Sequence, residues 1–207
     1  MKDLALLTDF YQLSMMQGYF FTKPDQTAVF DVFYRKNPSG GGYAIFCGLN
    51  EVVDYIENLK FSDDDIAYLK SLNFFKPEFL EFLRGFKFSG EIYAMDEGQI
   101  VFPHEPLIRV KANIMEAQLI ETAILNTINF QTLVATKSSR INFSAKGDLV
   151  MEFGLRRAQG RSAGIYGAKA AIIGGCSATS NVLAAKKFGV PAIGTHSHSW
   201  IQSFDSE

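Results

Sequence analysis

The stretch that decides the fold lies near the end of the chain and reads Val190-Pro191-Ala192-Ile193-Gly194-Thr195-His196-Ser197-His198-Ser199-Trp200. A short apolar run that is closed by glycine and followed by hydroxyls and imidazoles predicts a buried parallel strand ending in polar side chains. In barrels and doubly wound sheets, functional sites are built at the carboxyl ends of such strands. The stretch therefore predicts a site at a strand end, and two of the chain's three histidines belong to it.

The segments before this stretch alternate between strand and helix patterns. Residues 149–153 and 176–179 predict strands, while residues 168–173 and 181–188 predict helices. Repeated β-α-β units with short connections predict a parallel sheet, either open or barrel-shaped. A complete β/α barrel has about eight such units and this region holds about three. We therefore expect an incomplete barrel and infer that the chain, which stops at Glu207 within a predicted helix, is a fragment.

The first half of the chain predicts short helices around a small sheet. Residues 28–34 and 43–47 predict strands on either side of a basic, glycine-rich loop that begins at Arg35. Alternation over residues 107–112 predicts a strand with one buried face, and residues 115–144 predict one or two long helices. We place the domain boundary before these helices, which gives an α/β domain over 1–111 and the first part of a barrel over 112–207.

Several residues predict helix starts in this first half. Thr8 and Asn50 are suitable N-caps, Ser62 with Asp65 fits a capping box, and Pro77 fits the first position of a helix. We expect these helices to be structural.

Composition and charge exclude some classes of function. The 20 basic and 22 acidic residues are interspersed and give a net charge of −2, so nucleic acid is not an expected partner. Cys47 and Cys176 have neither a metal spacing nor a disulfide pattern, which fits a reducing, cytoplasmic environment. Asp3 and Asp9 interrupt any signal-peptide apolar region, and no apolar run approaches the ~20 residues of a membrane span. We expect neither export nor membrane insertion.

The two clustered histidines, His196 and His198, leave three interpretations open. Alternate residues of a strand point the same way, so both imidazoles could bind one metal ion, although only His104 remains as a further histidine. They could instead be satisfied polar side chains. The third interpretation, to which we give most weight, is one histidine acting as acid, base or nucleophile.

An earlier predicted strand end carries a second cluster, Glu152-Phe153-Gly154-Leu155-Arg156-Arg157. Arginine binds phosphate or carboxylate in a bidentate manner and phenylalanine offers a flat apolar face, so the cluster suits an anionic aromatic ligand or a sugar phosphate. An ion pair between Glu152 and an arginine is an equally good interpretation. Gly174-Gly175 with Ser177, Thr179 and Ser180 could likewise offer N–H groups to a phosphate, but an ordinary turn and cap is favoured.

In combination, five motifs resemble the nicotinate phosphoribosyltransferase family over the whole chain. The motifs are Leu7-Thr8-Asp9-Phe10-Tyr11-Gln12, Phe33-Tyr34-Arg35-Lys36-Asn37-Pro38, Glu152 through Gly160, Ser180-Asn181-Val182-Leu183-Ala184, and Gly194-Thr195 with His198-Ser199-Trp200. The resemblance implies a type II phosphoribosyltransferase fold, in which an α/β domain lies beside an irregular β/α barrel, and active sites shared across a homodimer. The implied reaction joins nicotinate to 5-phosphoribosyl 1-diphosphate, giving nicotinate mononucleotide and diphosphate, in NAD biosynthesis.

The resemblance also implies cofactors and residue roles. The reaction is coupled to ATP hydrolysis with Mg²⁺, and His198 is the implied phosphohistidine, whereas His196 falls on a variable position. Phe153 and a partner subunit's Tyr11 are expected to enclose the pyridine ring. Thr195 and Arg156 are expected to contact substrate. Arg35 is expected near the diphosphate sugar of the neighbouring subunit.

Three rival functions remain. A nicotinamide phosphoribosyltransferase shares the aromatic sandwich, a metal hydrolase would use His196 and His198 as ligands, and a catalytically silent fragment would only bind ligand. We expect the 207-residue chain to be inactive by itself.

Overall fold

The computed structural model describes residues 4–205. Two compact units divide within a long helix, the first ending at Thr132 and the second beginning at Leu133. Asp3, one of the acidic residues that argue against a signal peptide, lies outside the described residues, as do Ser206 and Glu207 at the chain end. The domain boundary after residue 111 stays a prediction.

In its described part, from residue 4 onward, the first unit contains five strands and five α-helices, followed by the beginning of a sixth. In chain order they are α1 (Phe10–Thr22), β1 (Thr27–Val32), β2 (Ala44–Ile45), α2 (Leu49–Glu57), α3 (Asp63–Ser71), α4 (Pro77–Arg84), β3 (Glu91–Ala94), β4 (Ile100–Val101), β5 (Ile108–Asn113), α5 (Ile114–Leu119) and α6 (Glu121–Ser144). The helical pattern predicted over residues 115–144 is thus two helices, α5 and α6.

A small antiparallel sheet of order β1-β5-β3 organises this unit, which confirms the predicted α/β domain with a small antiparallel sheet. On β5 the buried residues Ile108, Val110 and Ala112 alternate with exposed Arg109 and Lys111, as their period of two predicts. Packing of one face against the core therefore fixes the register of this strand.

The outer face of the sheet carries an ion pair between neighbouring strands. Arg109 lies opposite Asp31 and donates to both of its carboxylate oxygens, at 2.7 and 2.9 Å. Hydrogen bonding to this guanidinium holds the pKa of Asp31 below its ordinary value.

The loop that contains Arg35 is not the tip of a hairpin. β1 pairs with β5, whereas β2 pairs with β4, so the two strands that flank the loop lie in different sheets. Pairing with later strands therefore replaces pairing between these two neighbouring strands.

Two of the predicted helix caps are confirmed and two are shifted. Ser62 and Asp65 form a reciprocal capping box at α3, and Pro77 begins α4. The N-cap of α1 is Asp9 rather than Thr8, since the Thr8 hydroxyl donates to the Leu119 carbonyl instead. The N-cap of α2 is Gly48 rather than Asn50, and its φ of 112° is a left-handed conformation that glycine adopts readily.

A phenylalanine-rich core fills the first unit. Its largest fully buried side chains include Phe46, Phe79, Met16, Leu69 and Leu83. Rings of Phe20, Phe79 and Phe82 contact one another, with centroids 5.1–6.2 Å apart. Burial of such aromatic side chains is the main stabilising contribution available to a unit of this kind.

The second unit holds the end of α6, then β6 (Met151–Glu152), α7 (Arg161–Ile173), β7 (Ala178–Thr179), α8 (Val182–Phe188) and α9 (His198–Ile201). β6 and β7 are parallel, and Thr179 forms a further parallel bridge with Ala192. This succession confirms the predicted first part of an irregular β/α barrel.

Small residues permit close packing in the second unit. Among the described residues, its buried apolar side chains are mainly alanines, including Ala135, Ala170 and Ala184. Gly174 ends α7 so close to α6 that an added Cβ would lie 2.3 Å from the Ala135 carbonyl oxygen. Only glycine fits at this position without movement of the backbone.

We expect Ser62→Ala to lower the free energy of unfolding by about 1 kcal/mol, because the substitution leaves the Asp65 N–H at the start of α3 without its capping acceptor. Urea denaturation of the purified protein measures the change. Ser71→Ala is the matched control, since its hydroxyl bonds only the Tyr68 carbonyl at the other end of the same helix. An equal loss in both variants would show that the capping box contributes nothing specific.

Candidate functional site

A cavity of about 320 Å³ in the second unit is the candidate site. It is lined by Phe153, Leu155, Arg156, Ser180, Gly194, Thr195, His196 and Ser197. These residues come from three segments that follow β6, β7 and the bridge at Ala192. The cavity therefore lies at the carboxyl ends of parallel strands, where the sequence predicted a site.

The first wall of the cavity is the turn that follows β6. Phe153 comes directly after the strand and is 44% exposed, and a short 3₁₀ turn, Leu155–Arg157, places Arg156 beside it. Among the described residues, Arg156 forms no ion pair and no side-chain hydrogen bond, so its guanidinium is available to an anionic ligand.

Glu152 supports this wall without pairing with an arginine. One carboxylate oxygen accepts a hydrogen bond from the hydroxyl of Thr179 at 2.6 Å, and the other accepts from the Gly154 N–H. The interpretation of Glu152 as the partner of an arginine is therefore wrong. The carboxylate instead joins the turn after β6 to the end of β7.

Thr179 continues this connection into the next helix. Its side chain is fully buried, and its hydroxyl oxygen also accepts from the Asn181 N–H at 3.0 Å. Asn181 caps α8 by accepting from the Ala184 N–H, and its amide donates to the Gly164 carbonyl of α7. Hydrogen bonds of buried groups thus hold two strand ends and two helices around the cavity.

The opposite wall differs from the prediction. The segment from Pro191 to Trp200 forms an isolated parallel bridge at Ala192, so the parallel pairing agrees with the prediction, but the segment is exposed and the expected burial is wrong. Within the described part of the chain, Ala192 pairs only with Thr179, and a segment with a neighbour on one side alone stays open to solvent. Thr195 nevertheless lines the cavity as expected of a residue at a strand end.

The two clustered histidines take different places. His196 lines the cavity, whereas His198 does not and is instead the first residue of α9. Both side chains are exposed. The catalytic assignment of His198 stays a prediction, and the structure adds His196, together with Ser180 and Ser197, to the residues that a ligand in the cavity would meet.

Sequence reasoning had only weak signals for these added residues. Ser180 belongs to a glycine and hydroxyl cluster that also fits an ordinary turn, and His196 falls on a variable position of its motif. The connection through Glu152 and Thr179 had no sequence signal, because the two residues are 27 positions apart.

Tyr11 and Arg35, the other predicted site residues, belong to the first unit. Tyr11 lies on α1 with 49% of its surface exposed. Arg35 is exposed in the loop after β1, with its guanidinium carbon 5.9 Å from the centre of the Phe33 ring. Their assignments to substrate stay predictions.

The described residues do not form a dedicated metal centre. No group of three or more His, Cys, Asp or Glu side chains in residues 4–205 could hold an ion. Among the residues that the structure describes, the cavity lining contributes one imidazole and no carboxylate. No helix in the same range is long and apolar enough to cross a membrane.

Solved structures establish the class of protein. The chain superposes on human nicotinic acid phosphoribosyltransferase with a TM-score of 0.88 and 35% identity, over 95% of this chain and 40% of that one. A nicotinate-nucleotide pyrophosphorylase from Pyrococcus furiosus follows with a TM-score of 0.80 and 25% identity, over 98% and 44% of the two chains. The fold is the type II phosphoribosyltransferase fold.

Family models make the assignment more specific. Residues 6–129 match the nicotinate phosphoribosyltransferase N-terminal domain, and residues 149–206 match the nicotinate phosphoribosyltransferase family. The chain belongs to the nicotinate phosphoribosyltransferase family.

Curated relatives agree with this assignment. Nicotinate phosphoribosyltransferase pncB2 of Mycobacterium tuberculosis is 43% identical over 98% of this chain, and the Bacillus subtilis nicotinate phosphoribosyltransferase is 46% identical over 99%. The chain spans 44% and 42% of the lengths of these two relatives.

We expect Thr179→Val to destabilise the fold by about 2 kcal/mol, because the change leaves the volume nearly constant and removes the two hydrogen bonds of a buried hydroxyl. Thermal unfolding measures the loss. Thr179→Ser is the matched control, since it keeps the hydroxyl and removes only a methyl group, and it should retain more stability than the valine variant. The reverse order would contradict the role assigned to the hydroxyl.

Proposed function

We propose that the protein carrying this chain is a nicotinate phosphoribosyltransferase that acts in NAD biosynthesis. It joins nicotinate to 5-phosphoribosyl 1-diphosphate and releases nicotinate mononucleotide and diphosphate. Family membership and the names of the relatives support this reaction. Because the chain covers less than half of those relatives, the activity is proposed for the complete protein.

The observation that carries the proposal is the meeting of Phe153, Arg156 and Thr195 in one cavity. These three residues come from motifs that are separated by about 40 positions in the sequence, and the family resemblance gives each of them a contact with substrate. A flat apolar ring beside a guanidinium and a hydroxyl is suited to an aromatic carboxylate.

Each side chain then has a role in orientation. Phe153 binds the face of the pyridine ring, Arg156 holds an anionic group of substrate, and Thr195 donates a hydrogen bond. Departure of diphosphate develops positive charge on the ribose and negative charge on the leaving oxygens, so catalysis requires the ring nitrogen to be aligned behind the anomeric carbon. Fixed side chains lower the entropic cost of this alignment.

We also assign ATP coupling to His198. A neutral imidazole nitrogen can attack the terminal phosphorus of ATP, which releases ADP and leaves a phosphohistidine. His198 is exposed at the start of α9, and a phosphoryl group there is accessible to nucleotide. Hydrolysis of the phosphohistidine would link ATP consumption to the synthesis.

Mg²⁺ would bind together with the phosphate groups of ATP and 5-phosphoribosyl 1-diphosphate. The described residues supply no carboxylate cluster for it, and Mg²⁺ in phosphoryl-transfer sites is commonly held by substrate phosphates and water. A metal hydrolase built on His196 and His198 needs about three protein ligands, so we do not favour that function.

The proposal includes a homodimer in the cytoplasm. In it, Tyr11 of the partner subunit covers the pyridine ring opposite Phe153, and Arg35 reaches the diphosphate sugar of the neighbouring site. The exposure of both side chains is compatible with these roles. Two buried free cysteines, Cys47 and Cys176, fit a reducing compartment.

Incubation of the complete protein with radiolabelled ATP and Mg²⁺ should place an acid-labile phosphate on His198. We expect His198→Ala to abolish the label and His196→Ala to retain it. The imidazole of His196 lines the cavity and is not assigned as the acceptor of the phosphoryl group. Label is counted after denaturation at neutral and at acid pH. Label that persists in His198→Ala would rule out the assignment.

Direct competition tests the substrate. Nicotinate mononucleotide should form from nicotinate and 5-phosphoribosyl 1-diphosphate in the presence of an equal concentration of nicotinamide. Arg156→Ala should reduce the rate of this reaction about tenfold or more, because the variant loses a charged hydrogen bond to substrate. Arg157→Ala is the matched control, since the neighbouring guanidinium does not line the cavity. Preferential turnover of nicotinamide would favour the nicotinamide enzyme instead.

The 207-residue chain alone is expected to lack turnover. Calorimetry with nicotinate then shows whether the chain alone still binds this substrate.

A further inference from the structure

A buried amide lies directly beneath Tyr11 in the first unit. Gln12 is 0% exposed, although its neighbour Tyr11 is half exposed on the same helix. The Gln12 Nε2 donates to the Tyr11 hydroxyl oxygen at 2.9 Å and to a carboxylate oxygen of Glu121 at 2.6 Å. Both hydrogens of the amide are therefore used, and one of them holds the phenol.

The remaining hydrogen-bonding group of Gln12 is also occupied. Its carbonyl oxygen accepts from the Gln118 Nε2, and the same nitrogen of Gln118 approaches Glu121 at 3.3 Å. Since a carboxylate can only accept, Glu121 fixes which end of the Gln12 amide carries the hydrogens. The amide cannot turn over without breaking three hydrogen bonds at once.

This arrangement also fixes the role of the Tyr11 hydroxyl. Because an amide nitrogen only donates, the phenol oxygen accepts from Gln12 and its own hydrogen remains free to be donated outward. Partial desolvation and the carboxylates of Glu121 and Asp9 raise the pKa of Tyr11 above its ordinary value, which favours the protonated phenol.

Two further hydrogen bonds anchor the start of α1 just before Tyr11 in the chain. The Thr8 hydroxyl donates to the Leu119 carbonyl at 3.3 Å, and the Thr122 hydroxyl donates to a carboxylate oxygen of Asp9 at 3.0 Å. These bonds hold the helix start, but within residues 4–205 only Gln12 contacts the Tyr11 side chain through a hydrogen bond.

We propose that Gln12, held by Gln118 and Glu121, is a positioning residue that fixes the ring and hydroxyl of Tyr11 for contact with the pyridine substrate in the partner subunit. The inference rests on the proposed function of Tyr11. A tyrosine side chain that covers a substrate ring loses conformational entropy when the substrate binds. A hydrogen bond from a buried amide that orders the tyrosine beforehand reduces this entropic cost.

A double-mutant cycle in the complete protein tests the inference. Gln12→Met keeps the length and apolar volume of the side chain and removes the bond to Tyr11. We expect it to raise the KM for nicotinate about five- to tenfold, the effect of one lost hydrogen bond, with a smaller change in kcat. In a Tyr11→Phe background, which already lacks this bond, Gln12→Met should raise the KM by a smaller factor, because only its bonds to Glu121 and Gln118 are then lost. Thr8→Val is the matched control and should leave KM unchanged, because it loosens the same helix start without touching Tyr11.

A second measurement does not depend on turnover. In protein labelled with 3-fluorotyrosine, the fluorine signal of Tyr11 is assigned by its absence in Tyr11→Phe. Gln12→Met should move this signal toward that of free fluorotyrosine, and Thr8→Val should not.

The outcomes separate this inference from the proposed function. An equal rise in KM in both backgrounds, or a fluorine signal that Gln12→Met leaves unchanged, would overturn the positioning role while nicotinate turnover stands. If Tyr11→Ala leaves the KM for nicotinate unchanged, Tyr11 does not contact the substrate, and the assignment of Tyr11 falls together with the inference. Absence of nicotinate turnover would overturn the proposed function, and the fluorine signal would still decide whether Gln12 orders Tyr11.

Discussion

The buried hydroxyl of Thr179 is the group on which the candidate site depends. It donates to Glu152 and accepts from the N–H of Asn181, so a single side chain joins the end of β6, the end of β7 and the start of α8. A buried hydroxyl without these partners would be costly. The cost of breaking the connection therefore keeps Phe153 and Arg156 on one wall of the cavity.

The two compact units are stabilised in different ways. In the first, large apolar side chains such as Phe46 and Phe79 are removed from water, and burial of this kind stabilises a fold without defining the direction of any single group. In the second, the buried apolar side chains among the described residues are mostly alanines, which bury little area each. Hydrogen bonds and close contacts such as that at Gly174 therefore do more to fix the geometry of this unit.

A similar use of buried polar groups occurs beneath Tyr11. Gln12, Gln118 and Glu121 come from α1, α5 and the first turn of α6, and their mutual hydrogen bonds fix an exposed aromatic ring from below. In both units, a side chain expected to meet substrate is supported by a residue that is itself out of reach of the ligand. Such support is how proteins hold binding groups within narrow limits of geometry.

The sequence by itself determined the elements with strong local signals, and it predicted Phe153, Arg156 and Thr195, which line one cavity, as site residues. The capping box at Ser62, the alternation along β5 and the order of β-α-β units follow from neighbours within a few residues, which is why local pattern predicts them. Only the tertiary structure decided that β1 and β2 belong to different sheets, that the segment after Pro191 is exposed, and that Glu152 pairs with Thr179 and not with an arginine. The physical reason is that each of these features depends on a partner distant in sequence, and the chain must fold before those partners meet.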